Sequence, residues 1–437
     1  MMGMGIRGAR TAIKLATFRT MMAGAALTGD PAAKLLGRRQ PANPFPLYEQ
    51  IREHGDVYRS RLGIFCTVSH AQCRAVLKDP RFGMPVPPSP PAWEMYQGDA
   101  DTLIHPIERS LLAVNPPEHT RLRRLVAPWF TASALRTRAA RVEKIVHSHL
   151  DRISDGQDFD LVRDFTAQVP TAVIGDMLGI EIENYEQFGR WGMALATTID
   201  GVRTMGERRM VRAVLAEMTS FFTQLIEENR RAPRDNAISG LVGAEVDGRP
   251  VTDEELIGLI GLLLAAGLET TVNLISNSVR FLLEHPDQKR LFLDNPDTAP
   301  DVVEEALRYD PPAMFTVRMA LEDVELDGRL IPRGGWLVQL LGGANRDPKV
   351  FTDPHRFDVT RGNIREHIAF SAGAHHCVGS GLARLEAEIA LRELFARFPD
   401  MRIAGDVTMR TARSARGPQS IPISVAQAVG PDPSRRA

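Results

Sequence analysis

A lone cysteine, Cys377, sits in the stretch Phe370-Ser371-Ala372-Gly373-Ala374-His375-His376-Cys377-Val378-Gly379, which runs on into Ser380-Gly381-Leu382-Ala383-Arg384-Leu385-Glu386. The glycines at 373, 379 and 381 let the backbone turn through positive φ, and the helix that follows points its N-terminal amides back at the sulfur. Such surroundings stabilise a thiolate, the form of cysteine that binds metal or attacks an electrophile. Three readings compete. Cys377 is a small buried hydrophobe in a tight turn, which is the usual fate of a cysteine. Alternatively it joins His375 and His376 on a zinc ion, but adjacent residues cannot all face one ion, and no second cluster at ligand spacing occurs in the sequence. In the third reading a single cysteine is the axial ligand of a haem iron.

The pattern Phe370-x-x-Gly373-x-His375-x-Cys377-x-Gly379, followed by Leu382-Ala383-Arg384, resembles the haem-binding loop of the cytochrome P450 superfamily. Its one departure is Ser371, where many members carry a further glycine. The resemblance implies haem b as cofactor, Cys377 as the metal ligand, and Phe370, His375 and Gly379 in the cofactor-binding loop. It also implies a mainly α fold with a minor β region, one large unit built on a long central helix.

That helix is legible on its own. Thr252-x-x-Glu255 is a capping box opening a run that continues to about Glu284, and Leu262 to Leu268 is apolar nearly all round, as in a buried helix. Glu269, Thr270 and Thr271 then place polar groups inside, which need a reason. A threonine bonding back to the carbonyl four residues earlier, Ala266, is one reason. The resemblance supplies another: Ala266 and Gly267 leave room for dioxygen, Thr270 donates a hydrogen bond there and Glu269 relays protons.

Other charged groups fall at helical spacing. His119 and Arg123 lie on one face and form either a solvated basic surface or partners for the haem propionates, as the resemblance implies; Arg318 is a further propionate partner by the same argument. Arg121 and Arg124 are expected to look outward, where with Arg365 they meet an acidic electron donor. Glu305 and Arg308 are one turn apart; in the family such a pair is a structural ion pair, with Arg346 as its third member.

Over 437 residues the chain carries 53 basic and 54 acidic side chains, a balance that gives no nucleic-acid footprint. Its three cysteines provide no disulfide framework, which suits a reducing cytoplasm. Residues 1–40 form a basic N-terminal extension through Arg7, Arg10, Lys14 and Arg19. Its apolar run, Met21 to Leu27, is far shorter than the roughly 20 residues of a membrane span. We expect a helix packed on the body rather than a transmembrane anchor, with weak peripheral membrane contact as the alternative. Residues 41–428 form the catalytic domain and 429–437 a disordered tail.

Proline-rich residues 85–110, with Trp93 and Met95, read as a long loop that is either a solvated excursion or a cover over the substrate. By position in the family, Leu195, Thr198, Leu263, Met314 and Phe315 complete an apolar pocket. Hairpins are expected around Gly63 and Asp327-Gly328. The resemblance implies a monomeric, soluble bacterial monooxygenase that inserts one atom of O2 into an apolar small molecule, by hydroxylation or epoxidation. Electrons would come from NAD(P)H through a reductase and a ferredoxin or similar carrier. A peroxide-driven peroxygenase and a non-catalytic haem sensor are the rivals, and neither needs the Glu269-Thr270 pair.

Overall fold

The computed structural model describes residues 17, 20–37, 41–85, 110–154, 156–199, 204–410 and 415–425. Its centre is the helix Asp253–Glu284, opened as expected: Thr252 Oγ1 accepts from the Glu255 amide, and the Glu255 carboxylate accepts from the Thr252 amide. This satisfies two amides that a helix start otherwise leaves without partners. The helix is long and apolar enough to cross a bilayer, yet 72% of its most apolar stretch lies inside the fold. It is a core helix.

Helices Gln168–Leu178, Tyr185–Ile199, Ala299–Tyr309 and Ser380–Arg397 pack around it. Leu259, Ile260, Leu264, Leu274 and Ile275 are almost wholly buried along its length, and full burial of each such side chain stabilises the fold by about 1.5–3 kcal/mol. Two of the crossings are close at glycine. A Cβ on Gly192 would fall 2.5 Å from Leu268 Cδ1, and one on Gly267 would fall 3.2 Å from Ile174 Cδ1.

The minor β region contains a five-stranded sheet in the order Tyr58–Arg59, Phe65–Thr67, Trp336–Gln339, Thr316–Ala320, Phe82–Gly83. The Gly63 turn joins the first two strands, with Tyr58 opposite Cys66. Val324–Leu326 and Arg329–Ile331 form the expected hairpin, with Asp327 and Gly328 both at positive φ.

Part of the N-terminal extension is built into the body. Residues 20–27 are helical with Met22 buried, and Pro31–Leu36 is a helix capped by Asp30, whose carboxylate also accepts from Ser60 Oγ at 2.8 Å and the Arg61 amide at 2.6 Å. Ala32 and Leu35 join a core cluster with Tyr48 and Ile51, so residues 31–36 are structural rather than appended. Residues 1–16 and 429–437 fall among those not described.

Candidate functional site

Cys377 lies between a single turn of 3-10 helix, Gly373–His375, and the helix Ser380–Arg397. Its amide donates to the Phe370 carbonyl at 3.0 Å, closing the loop on itself. Gly373 is irreplaceable there: its φ is +69°, and a Cβ would fall 2.0 Å from the Leu77 carbonyl oxygen. Ser371 takes φ +64° although it is not glycine. The family's glycine at this position therefore has a backbone reason, and the serine adopts the same turn.

Burial pushes the Cys377 thiol up from its ordinary range, while the amides of Gly379 and Ser380 and the charges of Arg123 and Arg384 pull the other way. The upward effect wins, against the expectation that these surroundings stabilise a thiolate. A cation placed on the exposed sulfur would favour the thiolate instead. Of the zinc candidates, His375 turns away to stack on His119. Elsewhere the fold gathers Glu143, His147 and Glu393 on an exposed surface, a cluster that spacing along the chain could not reveal.

The basic side chains beside the loop share an unusual property. His119 is buried with Nε2 unpartnered, His375 has Nδ1 unpartnered, and the two rings lie 4.1 Å apart. Arg318 is 3% exposed and, among the described residues, donates only to Thr316 Oγ1, the Val317 carbonyl and Met84 Sδ. Arg123 donates to the His376 carbonyl at 2.7 Å. Among the described residues no carboxylate pairs with any of the four. Burial holds Arg318 down to about 10. Burial, then the charges of Arg318, His119 and Arg123, push His375 down to about 3, and His119 is lowered by burial, Arg123 and Arg318. A buried guanidinium without a carboxylate, beside two imidazoles whose ring nitrogens find no partner, fits an anionic ligand. The two propionates of haem match that requirement, so the residues present fit the group.

On the central helix Thr270 Oγ1 donates to the Ala266 carbonyl at 2.6 Å, as one reading of the sequence required. Ala266 is exposed although the helix before it is buried, which marks an opening in the interior; Glu269 and Thr270 are half-buried beside it. Gly267, half-buried next to Ala266, also packs closely against Ile174.

Several expectations need correction. Arg346 is not the third member of the ion pair: its Nε donates to the Tyr309 carbonyl at 2.8 Å, and its guanidinium lies 3.4 Å from the Phe45 ring centre and 4.0 Å from that of Tyr309. Glu305 and Arg308, both fully buried, pair at 2.6 Å, and the third cation is Arg361, 3.5 Å from Glu305. Arg308 also holds the carbonyls of Asn345, Pro354 and Arg356. Arg121 does not look outward; it is buried between Glu118 and Glu255. Arg124 and Arg365 are exposed, facing Asp247 and Asp301. Leu195 and Met314 are packed away at 0% and 2% exposure, Met314 against Gly342, so neither faces an opening. Leu263 is buried and Phe315 half-buried. Trp93 and Met95 lie outside the described residues, as does the side chain of Thr198.

Sequence reasoning missed the buried carboxylates behind the loop. Glu304 pairs with His367 and Arg384. Glu386 is wholly buried, with Oε2 unpartnered, and burial raises it well above the usual carboxylate range. Only the tertiary fold shows that these acids are inside.

Fold and loop together define the haem-thiolate class. The chain belongs to the cytochrome P450 family: the Cytochrome P450 family model matches residues 298–406. It is 36% identical over 367 residues to a biotin biosynthesis cytochrome P450 of Bacillus subtilis, covering 83% of this chain and 91% of that one. It is also 36% identical to the 6-deoxyerythronolide B hydroxylase of Saccharopolyspora erythraea, covering 86% and 94%. Among solved structures, P450BioI in complex with acyl carrier protein ligated to hexadec-9Z-enoic acid matches with TM-score 0.82 and 34% identity, covering 88% of this chain and 99% of that one. The protein is thus an oxidoreductase of the monooxygenase type, from a family that carries haem and uses O2.

Proposed function

We propose that the chain hydroxylates an apolar small molecule, with Cys377 holding the haem iron and His119, Arg123 and Arg318 holding the propionates. The observation that carries this reading is the cluster of basic side chains, buried Arg318 and His119 among them, without a carboxylate partner beside an accessible cysteine. Bound haem supplies the oxidising chemistry on O2. The protein's own residues bind, orient and move protons. Phe370 and Gly379 shape the loop that presents the sulfur. Thr270, its hydrogen committed to the Ala266 carbonyl, has an oxygen free to accept a hydrogen bond, and half-buried Glu269 beside it is the proton carrier. Leu263 and Phe315 contribute apolar surface that excludes water from the reacting carbon.

The retained Glu269-Thr270 pair favours use of O2 and two electrons over a peroxide-driven reaction or sensing. Electrons would come from NAD(P)H by way of a reductase and a ferredoxin-like carrier. With Arg121 buried, the docking cations are reduced to Arg124 and Arg365. The working form is a monomer in the cytoplasm, and the basic residues before Asp30 allow weak membrane contact. The substrate is a polyketide-like or fatty acyl compound, supported by relatives that are named for hydroxylating 6-deoxyerythronolide B and solved with a hexadecenoyl carrier protein.

The absorption spectrum of the purified protein, reduced and exposed to carbon monoxide, tests the reading. The wild type is expected to show a thiolate-type Soret band that Cys377→Ser abolishes. A protein that takes up no haem, or a variant with an unchanged spectrum, refutes it.

A further inference from the structure

Immediately behind the Cys377 loop, three side chains from distant parts of the chain form one closed network. Glu304, on the helix Ala299–Tyr309, is 2% exposed. Its Oε1 accepts from Arg384 Nε, and its Oε2 accepts from Arg384 Nη2 at 3.1 Å and from His367 Nε2 at 2.9 Å. The His367 tautomer is fixed by its other nitrogen. Nδ1 accepts from the Ala369 amide at 3.2 Å, so Nε2 is the nitrogen that donates to Glu304. Burial works against ionisation of Glu304, but the bonds from His367 and Arg384 outweigh it and hold the carboxyl down at about 2. The network thus sets one carboxylate against one guanidinium, with an imidazole bonded to the same carboxylate.

Arg384 is the member that meets the loop. Its guanidinium carbon lies 4.5 Å from the centre of the Phe370 ring, at the residue whose carbonyl receives the Cys377 amide. Its charge acts on the Cys377 sulfur and on His376. Glu304 is thus the counter-ion of the cation behind the sulfur, and nothing in the catalytic reading uses it.

We propose that Glu304 is a positioning residue that clamps Arg384 over Phe370 and sets the net charge felt by the Cys377 sulfur, and through it the reduction potential of a haem bound there. The inference rests on Cys377 being the ligand. In that case the electrostatic sign is fixed. With Glu304 neutralised, the uncompensated Arg384 charge favours the more negative, reduced state. With Arg384 neutralised, the uncompensated carboxylate disfavours it. With both neutral, the balance is restored. A merely structural role gives no such alternation.

The experiment is a spectroelectrochemical titration of haem-loaded wild type, Glu304→Gln, Arg384→Gln and the double variant. At a fixed potential the ferrous-to-ferric ratio is expected to rise roughly fourfold to twentyfold in Glu304→Gln, as a unit charge about a nanometre away in a protein medium would cause. It is expected to fall by a similar factor in Arg384→Gln and to return close to wild type in the double variant. Single variants that shift in the same direction, or that leave the ratio unchanged, overturn the proposal. If Glu304→Gln takes up no haem, Arg384→Gln and the double variant still decide, because a double variant no closer to wild type than Arg384→Gln is equally fatal. A wild type without a thiolate-type band defeats the proposed function itself, and is read before any variant.

Discussion

Two groups of basic side chains lie near the Cys377 loop, and they differ in what neutralises them. In the first, Arg308 is held by Glu305 and Arg384 by Glu304, with backbone carbonyls and His367 completing the bonds. In the second, Arg318, Arg123, His119 and His375 face one another without a carboxylate among the described residues. Taking a charge out of water costs several kcal/mol unless it is paired. The first group is complete within the chain and so reads as architecture. The second is destabilising until an anion arrives, and so reads as a binding site.

Breaking the first group has the larger expected effect. Glu305→Ala leaves Arg308 fully buried and without its charge partner, and removes the acceptor of the Asp358 amide. Removing one partner of a buried pair costs about 3–5 kcal/mol, a large part of the roughly 5–15 kcal/mol that holds a domain folded. Denaturant unfolding of the apoprotein is expected to show a midpoint far below wild type, or no folded protein at all. A variant within about 1 kcal/mol of wild type would mean that the carbonyls of Asn345, Pro354 and Arg356 satisfy Arg308 by themselves.

The second group should respond in the opposite sense. Arg318→Met keeps most of the side-chain volume and removes a desolvated charge, so the apoprotein is expected to unfold at the same or a higher denaturant concentration. Haem affinity should meanwhile fall roughly tenfold to a hundredfold, the worth of a hydrogen bond to a charged group. Apoprotein unfolding and haem titration must therefore move apart. A loss of apoprotein stability comparable to that of Glu305→Ala would erase the distinction between the two groups.

How much of this was legible in the sequence follows from the range of each interaction. The Thr252–Glu255 capping box, the Asp327-Gly328 hairpin, the Glu305–Arg308 pair and the shared face of His119 and Arg123 lie within one turn of chain, and all are found as expected. Pairings set by packing were not legible. Arg121 is buried because Glu255, 134 residues on, comes to meet it. Glu304 finds His367 and Arg384 at separations of 63 and 80 residues. Arg346 was displaced from the ion pair by Arg361 because two aromatic faces, Phe45 and Tyr309, claim its guanidinium. A residue's number along a helix gives its face; which neighbour covers that face depends on the tertiary fold.

The smallest expected effect lies inside the loop, where two positions share a left-handed backbone for different reasons. Gly373 has both the positive φ and the Leu77 carbonyl against it, so any side chain there displaces backbone. Ser371 has the positive φ alone, with a buried hydroxyl that finds no partner, while its amide donates to the Ile368 carbonyl at 2.9 Å. A left-handed non-glycine residue costs about 1–2 kcal/mol, and glycine returns about 0.4–1 kcal/mol of that through the greater freedom of the unfolded chain. Ser371→Gly is therefore expected to stabilise the apoprotein by up to about 1 kcal/mol, where Gly373→Ser should prevent the loop from forming. Ser371→Ala separates the two contributions: it keeps the backbone strain and removes only the idle hydroxyl, so it should fall between wild type and the glycine variant. Thermal unfolding of the three proteins measures this directly. If glycine destabilises while alanine does not, the strain is not where the backbone geometry puts it, and the serine is held in its turn by neighbours that glycine cannot engage.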